Sequence, residues 1–375
     1  MRLQSLDRVE SVRVQRRLIE NGQSVADGRA PQAGRLKSFW ACRSAVNNWV
    51  ILLLVVLIAA GCGGRNRRAR LDEPPRKKLP PVPARRNVAL DPALAQRAKK
   101  ELLTAAESPD AIARAHAIES MARALKAEAK DQIIAAMKDP EARVRFAAAM
   151  AAGELKLQEA HDPLLVLADD ANSSVRIAAR FALHQGGDFT LSHDLETTSR
   201  SEERKVRADT ALVLGLMNEP TASRILLPML LDDDAIVRYQ AAESLWRLGD
   251  PAALEMLIAG TFSGYPDDQM MCLLALAAPR KPDITAHVRP GLTTDYDEVN
   301  LVGARAMGML GSDEGYGWAL KAVKNPDKRM RLLAALAFGA IGRIDTQAYL
   351  RALLKDSDSH VRIAAAEAIL HLKSH

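Results

Sequence analysis

The chain has only three cysteines, Cys42, Cys62 and Cys272, in 375 residues. They are too few and too scattered for a disulfide framework or a zinc site. No CxxC or HExxH occurs, so the commonest signatures of a metalloenzyme are missing. There is no nucleophile elbow, no P-loop and no GxGxxG followed by an acid. The eight histidines are scattered, and none is followed by glutamate. His161-Asp162 and His193-Asp194 do not form a matched pair. On these grounds the sequence predicts neither an enzyme nor a cofactor or metal. Aromatic residues are also sparse, at 4%, while alanine is abundant.

A basic stripe running the length of the chain is lacking too. The net charge of +6 is uneven: residues 1–61 hold 9 Lys/Arg and 4 Asp/Glu, and residues 62–89 hold 9 and 2. The remainder, with 34 basic and 40 acidic residues, is mildly acidic. That argues against a nucleic-acid partner, whose electrostatic footprint is a basic face. It places the positive charge at the N-terminal end, where membrane targeting explains it.

The one long apolar run, Trp49–Ala60, has 12 residues. A spanning helix needs roughly 20, whereas the apolar region of a secretory signal is of this shorter length. Arg35, Lys37 and Arg43 precede it. The run ends in Ile58-Ala59-Ala60-Gly61-Cys62, which resembles a bacterial lipobox, with Ala59 where leucine is usual. The resemblance implies lipidation of Cys62 and a lipid-anchored protein of the bacterial cell envelope. The leader of about 48 residues before the run is long for a signal. Residues 62–89, rich in Pro, Arg and Lys, read as a solvated tether whose basic residues suit contact with anionic head groups. Three segments follow: a leader over 1–61, a tether over 62–89 and a repeat region over 90–375.

The repeat has a period of 31. Val144, Val175, Val206 and Val237 are evenly spaced, and the same step reaches Asp268, Val299, Met330 and Val361, and back to Ala113. Four residues after each lies a small or compact residue (Ala148, Ala179, Cys272, Gly303), and eight after it an apolar one (Leu183, Leu245, Phe338). Offsets 0, 4 and 8 share one helical face. Cys272 occupies the small position and reads as packing. Each unit holds two helices. In the unit of Val237, helix A covers about 235–248, Gly249 suits a left-handed C-terminus, and Asp250-Pro251 starts helix B. Such a pair buries its apolar faces only by stacking, which predicts an all-α solenoid of about nine helix pairs with a concave and a convex side.

These units resemble the short bacterial HEAT-like repeats, including those named after phycobilisome lyases, over about residues 91–375. The most specific element is Asp-x5-Arg: Asp139/Arg145, Asp170/Arg176, Asp232/Arg238 and Asp356/Arg362, with Ser201 before Arg207 and Asn325 before Arg331. The family resemblance implies that these residues form a ladder between adjacent units. Arginine is replaced by Gln269 and Asn300. A lyase-like enzyme or enzyme accessory is the alternative the family suggests, and the bilin and partner surface it would need are not identified by the sequence. The repeat is most irregular between 261 and 290, where GTFSGYPDDQ places Phe262 and Tyr265 at the turn between helix B and the next helix A. Residues 188–205 form a polar helix B. Tyr316 and Trp318 lie on another helix B, the helix that usually lines the concave face in this family. Phe262, Tyr265, Tyr316 and Trp318 are therefore the candidate contacts for a protein partner.

Overall fold

The computed structural model describes residues 79–85, 88–190 and 194–372, all within the compact unit Ser44–His375. The leader, the apolar run, Cys42, Cys62 and His193 lie outside the described residues. Helices account for all the regular structure of the described residues.

Among the described residues, eighteen α-helices alternate between two layers. The inner series is α2 (Ala111–Ala124), α4 (Ala142–Leu155), α6 (Ser173–Gln185), α8 (Arg204–Met217), α10 (Ala235–Arg247), α12 (Pro266–Ala277), α14 (Asp297–Met309), α16 (Lys328–Ile341) and α18 (Ser359–Leu372). These are the sequence-predicted helices A, and they are buried along most of their length. The outer series is α1 (Pro92–Ala106), α3 (Lys130–Ala136), α5 (His161–Leu167), α7 (Leu195–Thr198), α9 (Ser223–Met229), α11 (Pro251–Gly260), α13 (Thr285–Val288), α15 (Tyr316–Ala322) and α17 (Gln347–Leu353). Most outer helices are short and half exposed.

Local chemistry sets these boundaries. Asp110, Asn172, Asp234 and Asp327 cap inner helices by accepting from the amide two residues on, which satisfies a donor the helix leaves unpaired. Gly249 has φ +86° and Gly342 φ +69°, the left-handed turn that ends a helix most cheaply when no Cβ is present. Asp250 then caps α11 through Ala252 N at 2.9 Å. Small residues bring inner helices together: a Cβ on Gly308 would lie 2.6 Å from Ile341 N, and one on Gly339 2.9 Å from Ala368 Cβ.

The sequence predicts a solenoid of about nine helix pairs with a concave and a convex side, and in the structure that solenoid closes into a ring. Every inner helix packs on the next, and α18 packs on α2 to complete the circle. Among the described residues, no helix B follows α18. Helix α1 takes that place, packing on both α18 and α2. The ring reverses the sidedness expected for the helices. Helices A face the ring axis and helices B face outward, so helix B positions are not concave.

The described residues just before α1 lie on the outside of the ring, and the rest of the expected tether lies outside the described residues. Arg343 donates to Pro83 O at 2.8 Å, Arg85 pairs with Asp313 at 3.1 Å, and Gln347 donates to Ala89 O at 2.9 Å. Asp91 caps α1 and pairs with Arg351 at 2.9 Å.

Candidate interaction surface

The ladder is built from arginines one residue after the repeat's valine site. Arg145 on α4 uses its fork twice. Its Nη1 donates to Asp139 O and Pro140 O, both at 2.9 Å, pinning the turn that precedes its own helix. Its Nε and Nη2 grip Asp170 of the following unit at 2.7 and 2.9 Å. The aspartate is fixed from the other side by the Asn172 amide at 2.8 Å. Burial pushes the Asp170 carboxyl up, but Arg145 and that amide outweigh it and hold it below the ordinary range. The same bidentate grip joins Arg114 to Asp139, Arg207 to Asp232 and Arg331 to Asp356. A planar guanidinium matches a carboxylate in this way and lysine does not. The pairing is thus between units, while the Asp-x5-Arg spacing within a unit is served by the backbone carbonyl.

Several rungs are missing. Arg176 finds Ser201 where an acid is needed and turns to Ser173 Oγ at 2.9 Å. Arg238 holds only its own turn, through Asp232 O at 2.6 Å and Asp233 O at 3.0 Å, because Ser263 stands where the next aspartate belongs. Gln269 and Asn300 are shorter substitutes. Gln269 donates to Ser263 O at 2.5 Å and Asn300 to Thr294 O at 3.0 Å. Each secures its own turn and neither reaches the next unit. The arc from α10 to α16 therefore lacks the rungs of this ladder, although Arg289 and Glu314 form a bidentate pair between its units at 2.9 and 3.0 Å.

Exposed apolar side chains gather on that same arc. Leu231 is 85% exposed, Phe262 67%, Tyr265 73% and Tyr296 42%. Tyr265 and Tyr296 sit at the N-cap positions of α12 and α14, and neither caps through its side chain. Acids in the first turns, Asp267 and Asp268, then Asp297 and Glu298, supply the negative charge that favours a helix start. Sequence reasoning singled out Phe262 and Tyr265 but missed Leu231 and Tyr296. The signal was present in the register, since Tyr296 lies 31 residues after Tyr265 and Leu231 lies 31 before Phe262.

Tyr316 and Trp318 are not contact residues. Both are buried. Tyr316 packs edge-on against Phe338 at 5.4 Å, with the Arg343 guanidinium 4.3 Å from its ring centre. Trp318 donates its indole N–H to Leu292 O at 2.9 Å. Outer helix α15 turns these rings inward, Tyr316 onto α16 and Trp318 onto the turn at Leu292, so their bulk fills the core. Cys272 is fully buried, and burial raises its thiol far above the ordinary value. His161 lies 3.3 Å from Asp162 on the outer layer. Of the polar helix B expected over 188–205, the described residues form the α-helix Leu195–Thr198.

The inner wall of the ring carries charge. Glu119 is buried and one of its oxygens has no hydrogen-bond partner; burial pushes it up to about 8 against the pull of Arg123. Glu154 touches solvent yet is enclosed by protein, which raises it to about 7, while Arg123 and Arg247 pull it down. Arg247 belongs to a helix three units away, so this field acts across the ring. Among the described residues, no group of three or more His, Cys, Asp and Glu side chains is arranged to hold a metal ion. No described helix is long and apolar enough to cross a membrane.

Known families bear on this architecture. The family model for HEAT repeats matches residues 100–184, 195–277 and 285–370. The chain belongs to the HEAT-repeat family. Comparison with curated proteins gives no match. Among solved structures, the chain is similar to the CpcE–CpcF complex of phycocyanin lyase from Nostoc sp. PCC7120, at 18% identity and TM-score 0.40, over 69% of this chain and 98% of that one. It is similar to human deoxyhypusine hydroxylase at 18% identity and TM-score 0.36, over 66% and 96%. It also matches Kap121p at 13% identity and TM-score 0.33, over 76% of this chain and 38% of that one. At these identities the likeness shows the fold alone. It does correct one expectation. A lyase and a hydroxylase are among the HEAT-repeat proteins of this fold, so the exclusion of enzymatic activity drawn from missing motifs is withdrawn.

Proposed function

We propose that this protein is a lipid-anchored, ring-shaped scaffold that binds a protein partner at the bacterial cell envelope. The observation that carries the binding half is the exposed aromatic arc. Large apolar side chains stand in solvent at turns where other units place caps and charges, although each missing cap sacrifices about 1 kcal/mol of helix stability. Solenoids of this kind offer extended preformed surfaces, and exposed aromatics are enriched where proteins meet.

The anchoring half rests on the sequence of residues 49–62. A short apolar run behind a basic stretch and ending at Cys62 fits a lipoprotein signal. The experiment is the intact mass and N-terminal peptide of the chain extracted from membranes, beside a Cys62→Ala variant. A native chain beginning at a lipid-modified Cys62, absent from the variant, supports the reading. A soluble native chain that keeps residues 1–61 removes the anchor and the compartment together.

A further inference from the structure

The aromatic arc differs from the rest of the rim at two register positions, and both changes have the same sense. Six residues before the valine site, four other units carry Lys138, Arg200, Lys324 and Lys355; the arc carries Leu231 and Phe262. Three residues before it, other units carry Asp, Asn or Glu; the arc carries Tyr265 and Tyr296. Basic residues are thus exchanged for apolar ones, and caps for aromatic rings. The carboxylates remain. The three successive turns LDDD (231–234), FSGYPDD (262–268) and TTDYDE (293–298) contain eight carboxylates and no lysine or arginine. Arg207, Arg204 and Lys321 reach in from neighbouring helices to pair with Asp232, Asp234 and Asp297, and Ser263 donates to Asp268 at 2.9 Å. Asp233 is 94% exposed even while it touches Arg207 at 3.1 Å.

We infer that this rim segment is a docking site for a protein segment that interleaves lysine or arginine with apolar side chains. The inference rests on the reading of the ring as a protein-binding scaffold and adds the chemistry of the partner. Apolar side chains of the segment cover Phe262, Tyr265, Tyr296 and Leu231, and its cations meet the carboxylates between them. Aromatic anchors surrounded by complementary charge supply affinity at the centre and orientation at the rim. An acidic surface of this kind repels nucleic acid and anionic lipid, whose phosphates need the opposite charge. Adjacent inner helices pack about 8–10 Å apart, so three turns span on the order of 20 Å. An extended strand covers that distance with about six residues.

The missing rungs fit the same purpose. Gln269 and Asn300 keep each turn closed without a bond to the neighbouring unit. Asp233 and Asp295 stand exposed on the rim, while Asp232, Asp234 and Asp297 are engaged by Arg207, Arg204 and Lys321.

The test uses the full-length protein and fluorescein-labelled dodecapeptides. One alternates lysine and leucine, a second replaces lysine by glutamate, and a third replaces leucine by serine. Anisotropy is read at low and at physiological salt. The expected result is binding of the first peptide only, weakened by salt and weakened at least tenfold in a Phe262→Ala/Tyr265→Ala/Tyr296→Ala variant. A Tyr265→Asp/Tyr296→Asp variant, which restores the caps and so protects the fold, is expected to lose binding despite its added negative charge. No binding by the wild type overturns the inference, as does equal binding by wild type and variants or equal binding of all three peptides. A Cys62→Ala protein is expected to bind the peptide unchanged, so failure of the anchor and failure of this site are separate outcomes.

Discussion

Glu367, on the last helix, accepts the Arg123 fork from the first inner helix, with Nε and Nη2 each at 2.7 Å, across 244 residues of sequence. Ser120 adds a third bond to the same carboxylate at 2.7 Å. Beside them Arg362 meets Glu101 of α1 at 2.7 Å, in the direction in which other units place a ladder aspartate. His116 and His360 are 3.1 Å apart across the same seam. The two ends of the repeat array are locked by polar contacts of the kind that join its middle.

Replacing Arg123 by alanine leaves a buried carboxylate without its counter-charge. Breaking such a pair from one side costs about 3–5 kcal/mol. The expected outcome is faster hydrogen exchange in α1, α2 and α18, with α10 and α12 unaffected. Uniform exchange across the ring would show that the seam is not a separate point of weakness.

The seam is also sensitive to acid. Burial pushes Glu367 up, but Arg123 and the Ser120 hydroxyl outweigh it and hold the carboxyl at about 2. A folded value below the unfolded one contributes stability that is complete above the unfolded value, near pH 4, and disappears as pH falls toward 2. Denaturation of the wild type and of Glu367→Gln, followed from pH 6 to pH 2, should therefore converge at the acid end.

Glu119 acts in the opposite sense. Its folded value, about 8, lies above the unfolded one, so it costs stability progressively as pH rises from about 4 to 8. Glu119→Gln should leave the melting temperature nearly unchanged at pH 5 and raise it at pH 9. An equal effect at both pH values would mean that the carboxyl is already ionised at pH 5.

Two arginines at the same register position should behave differently. Arg145→Ala removes a bidentate charged contact to Asp170 and is expected to cost about 2–3 kcal/mol. Arg238→Ala removes only bonds to its own turn and should cost about 1 kcal/mol. Chemical denaturation of the two variants gives the comparison directly.

Tyr265→Asp supplies the cap that α12 lacks, and should stabilise the protein by about 1 kcal/mol. A thermal melt measures this independently of any partner. A neutral or destabilising result would show that Asp267 and Asp268 already meet the need of the helix start.

Much of this was legible in the sequence because a period of 31 imposes itself on every unit. The register, the helix pairs, the Gly249-Asp250-Pro251 punctuation and the packing role of Cys272 all follow from local chemistry repeated in phase. Closure was not legible. Whether nine units close depends on a small rotation at each interface, set by residues such as Gly308 and Gly339 meeting their neighbours, and no single motif records the sum. Helix α1 precedes the first Asp-x5-Arg and gives no sign that it completes the last unit. Tyr316 and Trp318 were misread for a related reason: a ring on an outer helix packs inward or stands free according to the side the helix presents, and closure decides that side. Phe262 and Tyr265 were legible because a turn has no core behind it to bury them.

The borrowed outer helix changes how the protein comes apart. A linear array of repeats frays from its termini, which is why such arrays need polar end caps and why their stability adds up unit by unit. A circular array has no terminus to fray, so the first loss of structure must break two interfaces at once instead of one. Melting is then concentrated in fewer, larger steps than in a linear array of equal length. The seam held by Arg123 and Glu367, followed by the stretch without rungs between α10 and α16, sets where those steps begin.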